Sequence, residues 1–134
     1  MRAVMHAMGM KDEGLFNASF TMAGGIGLQQ ETCGAVIAGA LFLGLASKKY
    51  GRSWDDFNKW DMDRILKALN DTGAFYEKCR EALGGQLTCR EITGMEIKTV
   101  EDALKYSATP VFETCCKNCG KVARLVVETL LGEE

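Results

Sequence analysis

Apolar residues recur at helical intervals along most of the chain, and this pattern predicts an all-α fold. The longest apolar run, Ala35 to Ala46, is hydrophobic on every face, which is typical of the central helix of a bundle. We expect this helix to span about residues 32–50, with Thr32 as its N-cap, Lys48 and Lys49 near its C-terminal dipole and Gly51 as its C-cap. No alternating run is bounded by turn signals on both sides, so no sheet is expected.

The remaining periodic segments predict a compact bundle of about five helices around this central one. A short helix should cover about residues 12–22, with Leu15, Phe16 and Phe20 inward, until glycines at 24, 25 and 27 break it. A long helical segment follows over 54–83, with Ser53 as its N-cap, and Gly73 leaves open whether it is one helix or two. The last three pieces are a turn or helical piece at Cys89 to Gly94, a helix at Val100 to Ser107 and, after Pro110, a helix at about Phe112 to Leu131.

Composition narrows the class of protein. The chain has 134 residues, which is enough for one domain with a core of its own, and no repeat or linker divides it. Its formal charge of −2 does not predict a nucleic-acid partner. The apolar run is too short for a bilayer span of about 17–25 residues, and the first residues do not form a secretory signal. We therefore expect no membrane association and a cytoplasmic location.

Six cysteines are the compositional outlier, and in a reducing compartment clustered cysteines are more often metal ligands or redox groups than structural disulfides. Cys33 stands at the predicted start of the central helix, where the positive end of the dipole stabilises a thiolate. Cys89 opens a helical turn beside the cation Arg90, so its local sequence allows either a reactive or a packing role. Cys79 lies within the apolar stripe of a long helix, and we expect a core cysteine with a raised pKa.

Cys115, Cys116 and Cys119 lie near the start of the last helix and are neighbours at spacings of three and four residues. Cys116 and Cys119 form a C-x-x-C pair, which occurs in thiol redox pairs and in metal sites. Lys117 and Lys121 are expected to lower the thiol pKa values. Gly120 stands where a c-type haem attachment needs histidine, so that cofactor is excluded.

Three segments together resemble the C_GCAxxG_C_C family, a group of small bacterial and archaeal proteins to which redox activity is ascribed. The segment from Glu31 to Leu41, preceded by Gly24-Gly25-Ile26-Gly27, is similar to the family's C-G-A-x-x-G core. Cys89-Arg90-Glu91-Ile92-Thr93-Gly94 resembles its C-R-x-L-x-G segment, and Cys119-Gly120-Lys121-Val122-Ala123 resembles its last cysteine. The resemblance covers nearly the whole chain.

This resemblance implies an all-helical fold and a redox or iron–sulfur role for Cys33, Cys89 and Cys119. Similar domains occur in split-Soret cytochromes, where an iron–sulfur site has been suggested. Relatives carry a fourth cysteine in an N-terminal helix, and Met1 to Val4 looks like the tail of that helix. The family's N-terminal helix is therefore expected to be shortened here. Either the start of the chain is assigned too late and the fourth cysteine lies just before Met1, or this protein replaces that cysteine, with Cys115 or Cys116 as the substitute.

Three hypotheses follow for the function. The first is a cysteine redox protein, a thiol–disulfide oxidoreductase or an electron carrier, in which Cys33 attacks and Cys89 or Cys119 resolves. The second is a metal-binding module that holds an iron–sulfur cluster or zinc through thiolates; its ligands would come from Cys33, Cys89, Cys115, Cys116 and Cys119. The third is a helical interaction domain in which the cysteines are incidental. The expected partner is a redox protein, and an apolar face left by the short N-terminus leaves a homodimer open.

Overall fold

The computed structural model describes residues 1–46 and 59–132, and within these ranges the chain is all-α, as predicted. It has seven helices instead of about five, because two short ones were not counted from the sequence. Five of the seven have seven residues or more, in line with the expected number of longer helices. The helices are α1 (Arg2–Ala7), α2 (Glu13–Ser19), α3 (Gly34–Ala46), α4 (Met62–Ala82), α5 (Cys89–Thr93), α6 (Val100–Ser107) and α7 (Pro110–Leu131).

Helix α3 is the predicted central helix, and it packs against both α4 and α7. Gly39 makes this packing close, because a Cβ atom there would lie 2.7 Å from Cζ of Phe75 in α4 and 3.0 Å from Cγ2 of Val126 in α7. The helix begins at Gly34 and not at residue 32, so the predicted N-terminus is wrong by two residues. The expectations for Lys48, Lys49 and Gly51 at its end lie outside the described residues.

The two long helices α4 and α7 supply most of the remaining core. Asp61 caps α4 through its side chain, which accepts a hydrogen bond from the N–H of Arg64 at 3.1 Å, and Gly73 lies within the helix without interrupting it. The expected cap at Ser53 lies outside the described residues. Helix α7 begins at Pro110, a residue that is well tolerated in the first helical turn because it lacks an N–H. Val122 and Val126 of this helix are buried in the core.

The N-terminal helix contributes to the core. Val4 and Met5 of α1 are buried, and α1 packs against α7. Asp12 caps α2 by accepting a hydrogen bond from the N–H of Leu15 at 2.8 Å. The expected inward position of Phe20 is wrong, because its side chain is 66% exposed in a short 3₁₀ turn that follows α2. No helix in the described part of the chain is both long and apolar enough to span a membrane.

Candidate functional site

Two cysteines are positioned by one short antiparallel pairing between distant parts of the chain, here called the Thr32–Thr88 crossing (residues 30–33 and 87–90). The N–H of Cys33 donates to the carbonyl of Leu87 at 2.7 Å, and the N–H of Cys89 donates to the carbonyl of Glu31 at 2.7 Å. Side chains alternate across paired strands, so we expect Cys33 and Cys89 to lie on the side of the crossing opposite to both threonines. The pairing thus brings together two thiols that are far apart in sequence.

Cys33 immediately precedes α3, so the predicted placement of this thiol at a helix start is confirmed. Its carbonyl accepts hydrogen bonds from Val36 at 2.9 Å and Ile37 at 3.1 Å. The predicted N-cap Thr32 lies in the crossing instead. Gly34 is required by packing, since a Cβ atom there would collide with the carbonyl oxygen of Met22. Cys33 thus places a thiol at the start of the helix. The residue that follows it must be glycine, because the backbone contact with Met22 leaves no room for a side chain.

The glycine-rich approach to Cys33 forms a left-handed turn. Residues 24 to 28 all have positive φ, and they include Ile26 at 63° and Leu28 at 67°. Left-handed backbone is unfavourable for residues with a Cβ atom, and a β-branched residue there is rare. The turn persists because its amides are bonded internally, for example Gly27 to Thr21 at 2.9 Å and Gln30 to Gly24 at 2.9 Å. The sequence predicts a break at these glycines but not this conformation.

Gln30 connects this turn to the segment that follows α5. It is 3% exposed, and its Oε1 accepts a hydrogen bond from the N–H of Ile97 at 2.9 Å. Its Nε2 donates to the carbonyl of Met95, and its own carbonyl accepts from the N–H of Arg90 at 3.1 Å. Gln30 therefore holds both sides of the crossing in register. Sequence analysis missed it, because a single glutamine in a polar loop carries no spacing signal.

The last three cysteines lie on the first half of α7. Cys115 is half-buried, whereas Cys116 and Cys119 are exposed. The predicted influence of the two lysines on these thiols is wrong. Lys117 pairs with Glu113 at 2.9 Å, and Lys121 donates to the carbonyl of Ala82 at 3.2 Å. The pKa values of Cys115 and Cys119 are both raised, chiefly because the protein around each sulfur displaces the water that would stabilise a thiolate.

A negative charge on Cys33 contributes to the raised pKa values of four other thiols, which are those of Cys79, Cys89, Cys115 and Cys119. Burial raises the pKa of Cys89 to about 11, and a negative charge on Cys33 contributes to the rise. The same charge raises the pKa values of Cys115 and Cys119. These thiols stay protonated at neutral pH. Cys89 of α5 and Cys115 and Cys119 of α7 therefore lie close enough to Cys33, at the start of α3, for a charge on it to affect their pKa values.

Cys79 has the structural role that its sequence predicts. It is fully buried in α4, and burial, followed by the charge on Cys33, raises its pKa to about 11. A neutral thiol in an apolar core is inert. The sequence predicts Cys79, unlike the other five cysteines, as a core residue, and its burial agrees with that prediction.

Tyr106 is a further site residue that sequence analysis did not identify. Its ring, at the end of α6, packs edge-to-face against Phe112 of α7, and its side chain opposes in part the rise that burial causes in the pKa of Cys115. Burial and nearby thiolates raise the pKa of Tyr106, so its hydroxyl stays protonated. The only available signal was its position in the predicted helix that directly precedes the cysteine-bearing one.

No disulfide bond joins the cysteines of the site. All six cysteines are free. Within residues 1–46 and 59–132, no group of three or more His, Cys, Asp or Glu side chains is arranged so that it could hold a metal ion. The five cysteines proposed as ligands do not fit an iron–sulfur cluster or zinc in this arrangement, and the metal hypothesis stays a prediction.

Comparison with known proteins gives one match. The model of a family described as "Putative redox-active protein (C_GCAxxG_C_C)" matches residues 1–129. Ala38 stands where the C-G-A-x-x-G form of its core has the last glycine, and Gly39 follows. No curated protein and no solved structure matches the chain.

Proposed function

Because the chain belongs to the C_GCAxxG_C_C family, described as redox-active, we propose that it carries out thiol–disulfide exchange with Cys33 as the attacking thiolate. Cys33 directly precedes α3, so an attacking sulfur there lies beside the first N–H groups of the helix, which have no partner within it. Cys89 and Cys119, the other two cysteines of the family pattern, supply the resolving thiol.

The observation that carries this proposal is the arrangement of thiols around Cys33. The Thr32–Thr88 crossing pairs the backbone at Cys33 with the segment of Cys89 through two hydrogen bonds of 2.7 Å, and Cys115 and Cys119 of α7 are close enough for a negative charge on Cys33 to raise their pKa values. Those three thiols have raised pKa values, so they are held as neutral thiols beside a single attacking group. Cys119 is exposed, which gives an outside disulfide a route to this neighbourhood.

The proposed exchange proceeds in two steps. First, the Cys33 thiolate attacks a substrate disulfide; a bond forms between Cys33 Sγ and one substrate sulfur, and the other sulfur leaves as a thiolate that takes a proton from water. Second, Cys89 or Cys119 loses its proton to water and attacks Cys33 Sγ, which releases the remaining substrate sulfur. The protein loses two electrons as it gains an internal disulfide, and the substrate disulfide gains two as it becomes two thiols.

A metal centre built from the same cysteines is the competing hypothesis, and the described side chains do not form a ligand set for it. No step of the proposed exchange passes through a metal. If protein purified without air contained stoichiometric iron or zinc, that result would contradict thiol exchange and favour a metal-binding function.

The decisive experiment uses two separate samples of the reduced full-length chain: one is labelled with iodoacetamide, the other is oxidised with bis(2-hydroxyethyl) disulfide, and both are analysed by peptide mapping. We expect Cys33 to be labelled first near neutral pH, and an internal disulfide on Cys33 to form in the wild type. The Cys33→Ser variant should lose that disulfide, whereas the matched Cys116→Ser variant should retain it. Uniform slow labelling with no internal disulfide would contradict the proposal and favour a helical interaction domain.

A further inference from the structure

A second group of sulfur-bearing side chains, separate from the cysteines, lies at the end of α1. Four of the seven methionines fall within the first ten residues, and the single histidine of the chain lies among them. Met5, His6 and Met10 all line one cavity of about 550 Å³, whose other walls include residues of α2. The exchange function uses none of these three side chains.

The turn that ends α1 holds the two methionines side by side. Gly9 has a left-handed backbone with φ of 62°. The N–H of Gly9 donates to the carbonyl of His6 at 3.2 Å, and the N–H of Met10 donates to the carbonyl of Met5 at 2.8 Å. These two bonds define a Schellman motif, in which the side chains at the positions of Met5 and Met10 commonly pack against each other. We therefore expect the two thioethers to be neighbours, with the imidazole of His6 facing the same cavity.

The three side chains extend from the interior of the protein to its surface. Met5 is 6% exposed, Met10 is half-buried and His6 is exposed. The methionine end of the cavity is therefore apolar, and the histidine lies where an ion would enter from solvent. A thioether is uncharged and polarizable and has no proton to lose, so burial does not weaken it as a ligand in the way that it weakens a thiol.

The charged groups around this cavity disfavour a hard divalent cation. The carboxylate of Asp12 accepts a hydrogen bond from the N–H of Leu15 at 2.8 Å, and Glu13 pairs with Lys11 at 3.1 Å. These two carboxylates are thus engaged, whereas Mg²⁺ and Ca²⁺ need oxygen ligands. Arg2 also lines the cavity, and its positive charge repels a divalent ion more than a monovalent one.

We propose that Met5, His6 and Met10 form a binding site for Cu(I), with two thioether sulfurs and one imidazole nitrogen as ligands. Soft thioether ligands select Cu(I), and imidazole is a ligand that copper also accepts. All three ligands are neutral when the imidazole is unprotonated, which suits a monovalent ion in a cavity without excess negative charge. The site is independent of the exchange function, and no step of that exchange passes through it.

The test follows each methionine methyl group separately by NMR. The full-length chain is labelled with [methyl-¹³C]methionine, and its accessible thiols are blocked with iodoacetamide because thiolates also bind Cu(I). Copper is added without air as the tetrakis(acetonitrile) complex of Cu(I). Met10→Leu and His6→Gln each remove one proposed ligand, and Met62→Leu, which removes an exposed methionine of α4, is the matched control. Leucine replaces methionine at nearly constant volume, so the packing of α1 is retained in Met10→Leu.

We expect the methyl resonances of Met5 and Met10 to shift together and to saturate at one Cu(I) per chain, while that of Met62 stays in place. Met10→Leu and His6→Gln should each weaken binding by about tenfold or more, and Met62→Leu should bind as the parent does. Shifts of similar size at every methionine, or no shift at Met5 and Met10, would overturn the proposal. Unchanged affinity in either ligand variant would overturn it as well. Each of these results leaves thiol exchange intact, since that function is tested at Cys33.

Discussion

The thiols of this protein are positioned in two different ways. On α7, the separation of Cys115, Cys116 and Cys119 is set by the geometry of one regular helix. At the Thr32–Thr88 crossing, Cys33 and Cys89 are brought together by two backbone hydrogen bonds, a buried glutamine and a left-handed turn. The arrangement on α7 depends on local sequence, whereas the crossing depends on contacts between residues about sixty positions apart. The crossing is therefore the part that a single substitution can displace.

The largest expected effect concerns the crossing and is in the pH dependence of Cys89 alkylation. Because the pKa of Cys89 is raised to about 11, its thiolate fraction should increase about tenfold with each pH unit from 7 to 10. Iodoacetamide labelling followed by mass spectrometry measures this rate at each thiol. N-acetylcysteine, a free thiol with an ordinary pKa near 8.5, is the control. If the Cys89 rate levels off near pH 9, as for the free thiol, the crossing does not shield Cys89 as described.

The next largest effect is expected from Gln30→Ala. This change leaves the buried N–H of Ile97 without its acceptor, which costs about 1–3 kcal/mol, and removes the Gln30 donor from the carbonyl of Met95, which keeps the Thr93 hydroxyl as its other donor. We expect the free energy of unfolding, measured with urea, to fall by up to about 3 kcal/mol. Formation of a Cys33–Cys89 disulfide should slow as well, since the register of the crossing is lost.

The neighbouring exposed Gln29 provides the matched control, and Gln29→Ala should change the unfolding free energy by less than about 0.5 kcal/mol. Equal small effects at positions 29 and 30 would show that the amide of Gln30 does not hold the crossing together.

Glycine-to-alanine changes are expected to alter the stability of the protein by smaller amounts. The change should be a loss at the crossing and a gain on α7. Gly34→Ala places a methyl group against the carbonyl of Met22, and we expect a loss of about 2 kcal/mol. Gly120→Ala, in the middle of α7 where a Cβ atom meets nothing within 4 Å, should stabilise the protein by about 0.5–1 kcal/mol. Thermal unfolding measures both changes. A stabilising Gly34→Ala would mean that the chain does not pass over the start of α3 as the structure shows.

The sequence predicted the helical parts of the molecule well. The bounds of α6, the helix after Pro110 and the core role of Cys79 all follow from local patterns, and the structure agrees with them. These features depend on neighbours three or four residues away, which periodicity records directly.

The errors concentrate where distant contacts decide the structure. Thr32 has the side chain of an N-cap but pairs with Thr88, because that pairing uses the backbone at this position. Phe20 fits a helical stripe, yet the chain has already left α2 for a 3₁₀ turn. Val4 and Met5 lie in a six-residue helix, which is too short to be stable alone and packs on α7. The roles of Gln30 and Tyr106 likewise arise from tertiary contacts, and no spacing rule reveals them.

The close approach at Gly39 also provides a spectroscopic reporter. Phe75 is 1% exposed and its ring lies directly against the backbone of α3, the helix that Cys33 precedes. Its ring protons in an NMR spectrum are therefore sensitive to a shift of α3 of a fraction of an ångström. Following those resonances as oxidant is added would show whether chemistry at the thiols moves the interior, with no label attached to any sulfur.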